Sequence, residues 1–509
     1  MSLLLRLLAI LLGLVLLSFL ACRLFWPEHL AVNAPITNSL FGWGAGPPPA
    51  SAFGSRIQAA EGFQVSLYAE LPKVRFLEPT PAGDLVASVP RDGRVVLVER
   101  DRDEDGTPDA IRPLLTGLDR PHGVALFDGW LYVAETGAVG RIRFDVASGQ
   151  VSGSFERVVT DLPEGGNHWT RSIGFGPDGM VYVTVGSSCN ACFEEDERRG
   201  AMLRFRPDGS EAEVFARGLR NAVGFAWKPE SGALYATENG RDFLGDDRPP
   251  CELNRVVRGG DYGWPVAYGD RVPDPDLGAG HERRIEASRP PAFEFPAHNA
   301  PLGITFLTHP SLPETYRGAA LVALHGSWNR TEKDGYEVVS LHWDAEGSIR
   351  SRPFLSGFLE GEDVIGRPVD VAQGPDGTLY VSDDYAGAIY RVAQGSIRPS
   401  DAGPAALDPP PPPPPTQAPP QPGRRPPAGP PGPPPFEAQG CAACHGSGAT
   451  RPGMVPVPLE GLAERYDVPA LVAYLTAPTP PMPAVELEIE ARRALAIHLL
   501  ERFGAADGS

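Results

Sequence analysis

One short unit, a tight turn followed by an apolar strand, recurs along this chain and narrows the folds open to it. It appears six times, at residues 81–86, 127–133, 176–183, 228–235, 314–322 and 374–381. The third and sixth copies open with the same Gly-Pro-Asp-Gly, and the fifth is the loosest. Proline fixes φ at such a turn, and glycine accepts the positive φ that closes it. The runs that follow alternate and carry aromatic and β-branched residues, the pattern of a half-buried strand. Intervals of about 45 residues and more are those of β-propeller blades with loop insertions. A β-sandwich does not usually repeat one turn at that spacing. The expectation is an all-β six-bladed β-propeller over residues 57–398.

With 509 residues, the chain is longer than one ordinary core, so further domains are expected. An unbroken proline run from Pro409 to Pro415 lies in a Pro-rich linker, residues 399–435, whose composition suits an extended polyproline II spacer. It separates the propeller from a small tail, residues 436–509. At the other end, Leu3 to Cys22 is almost wholly apolar, broken only by Arg6. Residues 1–25 read as a cleaved signal peptide, a retained anchor or a lipoprotein signal, followed by a spacer, residues 26–56. The expected location is periplasmic, with a tether to the membrane through this segment, as an anchor or through lipidated Cys22. Aspartate and glutamate number 64 against 45 lysines and arginines, a net charge of −19. Such a chain is repelled by phosphate backbones, which argues against nucleic acid as a partner.

In the tail, Cys441-Ala442-Ala443-Cys444-His445 is the attachment pattern of c-type haem. Two thiols three positions apart add to the haem vinyl groups, and the adjacent histidine reaches iron. One covalent haem c is therefore expected on Cys441, Cys444 and His445. The sixth ligand is read as Met482, in the proline-rich loop 478–483 between two helical segments, with Met454 as its rival. His/Met ligation raises the haem potential enough to accept electrons. Residues 436–503 resemble small bacterial cytochromes c, which implies a small all-α domain and favours Met482.

In the propeller, Gly218-Leu219-Arg220-Asn221-Ala222-Val223-Gly224-Phe225 leads to Thr237-Glu238-Asn239-Gly240. The stretch ends in Gly259-Gly260-Asp261-Tyr262-Gly263-Trp264-Pro265. It resembles the soluble PQQ-dependent glucose dehydrogenase family and, more closely, its sorbosone-dehydrogenase-like relatives. Two further matches are Gly186-Ser187-Ser188-Cys189-Asn190-Ala191-Cys192 and His325-Gly326-Ser327-Trp328-Asn329-Arg330. The resemblance implies oxidation of an aldose- or sorbosone-like sugar, or a related alcohol, by hydride transfer to PQQ. With the haem motif it implies a quinohaemoprotein, passing electrons to its own haem and on to a downstream acceptor such as a cytochrome or oxidase.

That chemistry needs a base for the hydroxyl proton and positive charge beside a developing oxyanion. By the resemblance, His168 matches the family's general base, although Asn167 stands where the family has an acidic residue. Arg220 and Asn221 match the pair at the quinone carbonyl. Arg367 matches one of two arginines for the cofactor carboxylates; the other position holds Val369, so that role is shared with another group, for which Arg330 is the candidate. Forked guanidinium donors suit carboxylates. His122 and His298 are further candidates near the pocket. The family's calcium, chelated by backbone carbonyls, matches Gly240 and Arg241, and hard oxygen ligands suit that ion.

From the residues alone, Asp101, Asp103, Asp105 and Asp109 read as a structural calcium loop, with Gly106 allowing the sharp turn. Arg112 stands where an EF-hand carries its bidentate glutamate. Cys189 and Cys192 are expected to form a short disulfide in an oxidising compartment, with Cys251 left over. Two alternatives stay open: a calcium-dependent, lactonase-like propeller hydrolase, and a non-catalytic binding propeller with an electron-transfer tail. A hydrolase, however, has no use for a covalent haem.

Overall fold

The computed structural model describes residues 45–395 without a break, residues 31, 32, 405 and 406, and parts of 462–500. The chain divides into two units, Met1–Pro411 and Pro412–Ser509. The first holds six antiparallel sheets of four principal strands each. Blade one is Leu77–Pro79, Leu85–Val89, Arg94–Val98 and Ile111–Leu115. Blade two is Val124–Phe127, Trp130–Ala134, Val139–Asp145 and Gln150–Val159. Blade three is Ile173–Phe175, Val181–Val185, Ala201–Phe205 and Glu213–Arg217. Blade four is Ala222–Lys228, Ala233–Glu238, Cys251–Val256 and Phe293–Phe295. Blade five is Pro301–Phe306, Ala320–Leu324, Glu337–Trp343 and Ile349–Ser356. Blade six takes Pro368–Gln373, Leu379–Asp383 and Ala388–Gln394 from the end of the propeller and Phe63–Glu70 from its start.

This is the expected six-bladed, nearly all-β propeller. All six turn-and-strand units occupy the same place: each is the hairpin joining the first and second strands of a blade. One expectation is corrected. The second strands are not half-buried; in blades one, three, five and six every residue of the second strand is buried. The reason is that each blade is covered on both faces. Leu85, Ala87 and Val89 pack with Tyr380 and Ile389 of blade six, whereas the intervening Val86 packs with Val124 and Val133 of blade two. A period of two thus divides one strand between two neighbours. Analogous apolar clusters join the other neighbouring blades around the ring.

Antiparallel connectivity sorts the loops onto two faces. Connections from a second to a third strand, and from one blade to the next, share one face. The hairpin turns and the third-to-fourth connections share the other. Close approach of the inner strands relies on glycine: a Cβ on Gly224 would run into the Leu302 carbonyl and Gly303 of blade five.

In the second unit, the described residues include the helix Val468–Thr476 and a buried cluster of Leu462, Leu471, Leu475, Leu495, Ala496 and Leu499. Cys441, Cys444, His445, Met482 and Met454 lie outside the described residues, as do the leader and the linker apart from residues 405 and 406. No helix among the described residues is long and apolar enough to cross a membrane.

Gly224→Ala is expected to lower unfolding stability by about 1–3 kcal/mol through forced separation of two inner strands. Denaturant unfolding of the propeller unit measures it, and a variant as stable as the parent would refute the close-approach argument.

Candidate active site

Within the propeller, the predicted site residues outside the Asp101 motif gather on one face. His122, His168, Arg220, Asn221, His298 and Arg367 lie in blade-to-blade connections, just ahead of an inner strand. Gly240, Arg241 and Arg330 lie in second-to-third connections that open on the same face. The Asp101–Asp109 segment joins the third and fourth strands of blade one and so lies on the opposite face. There Asp101, Asp103 and Asp109 bring carboxylate oxygens within 4.8 Å of one another. Asp105 is turned instead to the backbone N–H and hydroxyl of Thr107, 2.8 and 2.7 Å away. Asp109 is paired with Arg102, and Asp101 lies 3.6 Å from Arg391.

His168 is half-buried, with Nδ1 2.9 Å from the carbonyl oxygen of Ser187. A carbonyl only accepts, so Nδ1 carries the proton and Nε2 keeps its lone pair. Burial first, then the charges of Arg220, Arg171 and Arg199, lower the imidazole to about 3. The ring is therefore neutral through the physiological range, the state a base requires. Asn221 stands beside it: a Cβ on Gly186 would meet both His168 and the Asn221 Oδ1, a buried atom with no hydrogen-bond partner among the described residues.

Arg220 departs from the expected role. Its Nε donates to the Asn190 carbonyl at 2.8 Å, and its Nη1 to the carbonyls of Asn239 and Gly240 at 3.1 and 2.9 Å. Its Nη2 donates to Asn190 Oδ1 at 2.9 Å and to Asp242 at 3.0 Å. A guanidinium has five N–H groups, and all five are engaged, which leaves none for a quinone oxygen. The same contact revises the metal reading, because the Gly240 carbonyl already faces a fixed positive charge. The Arg241 side chain is held by Asp274 and Asp276.

Arg367 donates through Nε and Nη2 to the carbonyls of His325 and Gly326. It lines a cavity of about 440 Å³ with Arg75, Trp169, His325 and Asp384. Four basic side chains (Lys73, Arg75, Arg91, Arg367) face two acidic ones (Glu70, Asp384) around its wall, a net excess of two positive charges in a chain of −19. Arg75 donates to Asp384 at 2.6 Å and lies over the Trp169 ring, 5.9 Å from its centroid. Burial alone would raise the Asp384 carboxyl, but His325, Arg75 and Arg367 hold it well below the carboxylate range. Burial and Arg367 in turn lower His325 to about 4, so above that pH the arginines carry the effect.

The other expected residues stand apart from this cavity. His122 is buried behind Trp169, edge to face at 5.8 Å, and so supports the wall. His298 Nε2 lies 2.8 Å from the Gly245 carbonyl. Arg330 donates to the carbonyls of Asp246 and Glu332, which ties down a loop and corrects its reading as the second carboxylate-binding arginine. Arg75, which no motif marks, lines the cavity beside Arg367.

The description Glucose / Sorbosone dehydrogenase matches residues 130–391, from the second strand of blade two into the third strand of blade six. The chain belongs to this family. Over 218 residues it is 33% identical to an uncharacterized protein of Borreliella burgdorferi, spanning 42% of this chain and 56% of that one. Over 296 residues it is 26% identical to the aldose sugar dehydrogenase YliI of Escherichia coli, spanning 52% and 72%. Among solved structures, the holo form of the pyranose dehydrogenase PQQ domain of Coprinopsis cinerea aligns with TM-score 0.57 and 21% identity, over 69% of this chain and 98% of that one. At that identity the likeness speaks for the fold.

Within the glucose/sorbosone dehydrogenase match lies a second feature that sequence reasoning missed. Glu238 and Glu252 face each other directly across neighbouring strands of blade four. Both are buried and border a cavity of about 20 Å³ with Gly240, Tyr262 and Asp274, where Arg220 holds the Gly240 carbonyl and Arg241 holds Asp274. Glu238 Oε1 accepts from the Asn221 N–H, but Oε2 is buried with no hydrogen-bond partner among the described residues. Burial, reinforced by Glu252, pushes Glu238 well above the carboxylate range, and burial pushes Glu252 to about 7. Like charges at such a register destabilise a sheet unless a proton or cation lies between them. The carboxylate oxygens of Glu238 and Glu252 are hard donors of the kind calcium takes. The thiols of Cys189 and Cys192, the other possible metal ligands, form a disulfide, as expected, and Cys251 is a buried free thiol.

A folded-state pKa above the unfolded value means that folding stability falls as pH rises through about 4.5 to 7, unless a cation offsets the charge. Calcium is therefore expected to raise the melting temperature more at pH 8 than at pH 6. At a hundred times its dissociation constant the gain is about 2.7 kcal/mol. Glu252→Gln should abolish that gain; a variant that calcium stabilises as strongly as the parent would rule out the cradle.

Proposed function

We propose that this chain is a quinohaemoprotein dehydrogenase that oxidises an aldose- or sorbosone-like sugar, or a related alcohol, with PQQ and calcium. Electrons then pass to its own haem c and on to a respiratory acceptor, a cytochrome or oxidase. The observation that carries the reading is the basic cavity in an otherwise acidic chain, whose wall includes Trp169, the residue next in sequence to His168, the neutral histidine that keeps its Nε2 lone pair. PQQ is a planar tricarboxylate, and the cavity falls within the range of small-cofactor sites, roughly 300–1,000 Å³. Arg75 and Arg367 would hold carboxylates, Trp169 offers a flat apolar wall, and the Glu238–Glu252 cradle would hold calcium.

When bound, PQQ supplies the two-electron acceptor. The chain's own residues do the rest. Nε2 of His168 takes the hydroxyl proton while Nδ1 stays on the Ser187 carbonyl, so the tautomer is set before substrate arrives. The family's aldose-acting members support a sugar as substrate. Cys441, Cys444, His445 and Met482 would bind the haem. The Pro-rich linker keeps that tail at high effective concentration without fixing its orientation. The N-terminal segment would tether the protein at the periplasmic face of a membrane.

Each charge-assisted contact to a carboxylate contributes about 1.5–3 kcal/mol, so Arg75→Ala and Arg367→Ala should each weaken PQQ binding about tenfold to a hundredfold. Quenching of tryptophan fluorescence in the metal-loaded apoprotein reads this. Removal of everything after Arg398 should leave sugar-driven, PQQ-dependent dye reduction intact. Unchanged PQQ affinity in both variants, or no dye reduction by the truncated propeller, would refute the reading.

A further inference from the structure

The connection between the second and third strands of blade three, residues 186–200, has no regular secondary structure. Loops of about 12–15 residues without it are uncommon in compact domains and are often functional. This one is closed near its start by the Cys189–Cys192 disulfide, and the short turn so formed touches three parts of the site.

Ser187 is fully buried; its N–H donates to the Arg220 carbonyl at 2.7 Å, and its own carbonyl accepts from His168. Its hydroxyl donates to the Cys189 carbonyl, which ties this seat for the imidazole to the disulfide. The Ser188 carbonyl accepts from the N–H of Asn167, next to the histidine. Asn190 lies between the two cysteines. Its carbonyl and Oδ1 take Nε and Nη2 of Arg220, and its Oδ1 also accepts the Asp242 N–H at 2.8 Å. Its Nδ2 donates to the Asp242 carbonyl at 3.1 Å. One side chain thereby holds both Arg220 and the segment carrying Asn239, Gly240 and Asp242.

We propose that Asn190, locked in the disulfide-closed turn, is a positioning residue for the oxidation: it fixes Arg220 against the Asn239 and Gly240 carbonyls while Ser187, one link away, fixes His168. This rests on the dehydrogenase reading. The physical argument is that a guanidinium whose five donors are all satisfied is immobile only while its acceptors are immobile. Two of those acceptors belong to Asn190, which the cross-link restrains. The position of Arg220 then sets the field at His168, where the other facing charges are Arg171 and Arg199. If Arg220 is released, its positive charge moves away from the imidazole, and proton affinity at Nε2 rises.

The test uses the full-length holoprotein with the variants Asn190→Ala and Cys189→Ser/Cys192→Ser. Thiol treatment is avoided because thiols reduce quinones. Near-attack geometry lost by small displacements is expected to cut kcat about tenfold to a hundredfold, with KM for the sugar changed by less than about threefold. The NMR titration of the His168 ring in the apoprotein should move to higher pH in both variants. Lower kcat with an unmoved His168 titration would mean that the turn only supports the fold, and wild-type kcat in both variants would end the proposal directly. An inactive wild type would defeat the dehydrogenase reading, and the apoprotein titration would then decide the role of Asn190 alone.

Discussion

The propeller depends on one seam. Phe63–Glu70, the first long strand of the chain, pairs with Ala388–Gln394, the last strand of the propeller, so that Phe63 lies opposite Gln394. Apolar clusters lie between neighbouring blades, and a blade without a neighbour exposes one of its two apolar faces. The seam supplies blade one with that neighbour through Tyr68, Tyr380 and Ile389. It also brings Arg75, on the connection that follows the closing strand, next to Asp384 of blade six. The basic cavity lies across this seam, so ring closure and assembly of the site are the same event.

Much of this was legible beforehand, for a definite reason. A hairpin turn is a local event, and its Pro, Asp and Gly residues state their backbone demands in the sequence itself; hence six units in the sequence and six blades in the fold. The closing strand precedes the first unit and resembles none of them, because its partner is set by topology rather than by a turn. The half-buried reading of the second strands failed because alternation reveals two faces but not what covers each.

The site divides in the same way. Arg220 and Asn221 were proposed because they sit in a recognisable stretch, and His168 and Arg367 because they match the family, yet the work expected of Arg220 depended on free N–H groups that only coordinates can count. Arg75 has no motif around it; it matters because the seam carries it to Arg367. The Glu238–Glu252 pair depends on register, since only direct opposition across two strands turns two ordinary glutamates into a cation cradle. Asn190 was visible only as a residue between two cysteines.

Charge unites these features. Burial and three arginines keep His168 neutral, Arg75 and Arg367 hold Asp384 ionised, and the cavity bordered by Arg75, Arg367 and Asp384 concentrates positive charge in a chain whose sum is strongly negative. Such a cavity favours a polyanionic ligand over a neutral one. The most direct measurement is the visible spectrum of the full-length, calcium-loaded protein after an aldose is added, with and without PQQ. The account predicts that the haem is reduced only when sugar and PQQ are both present, at a rate independent of protein concentration. Haem that stays oxidised with both present, or is reduced by sugar without PQQ, would contradict it.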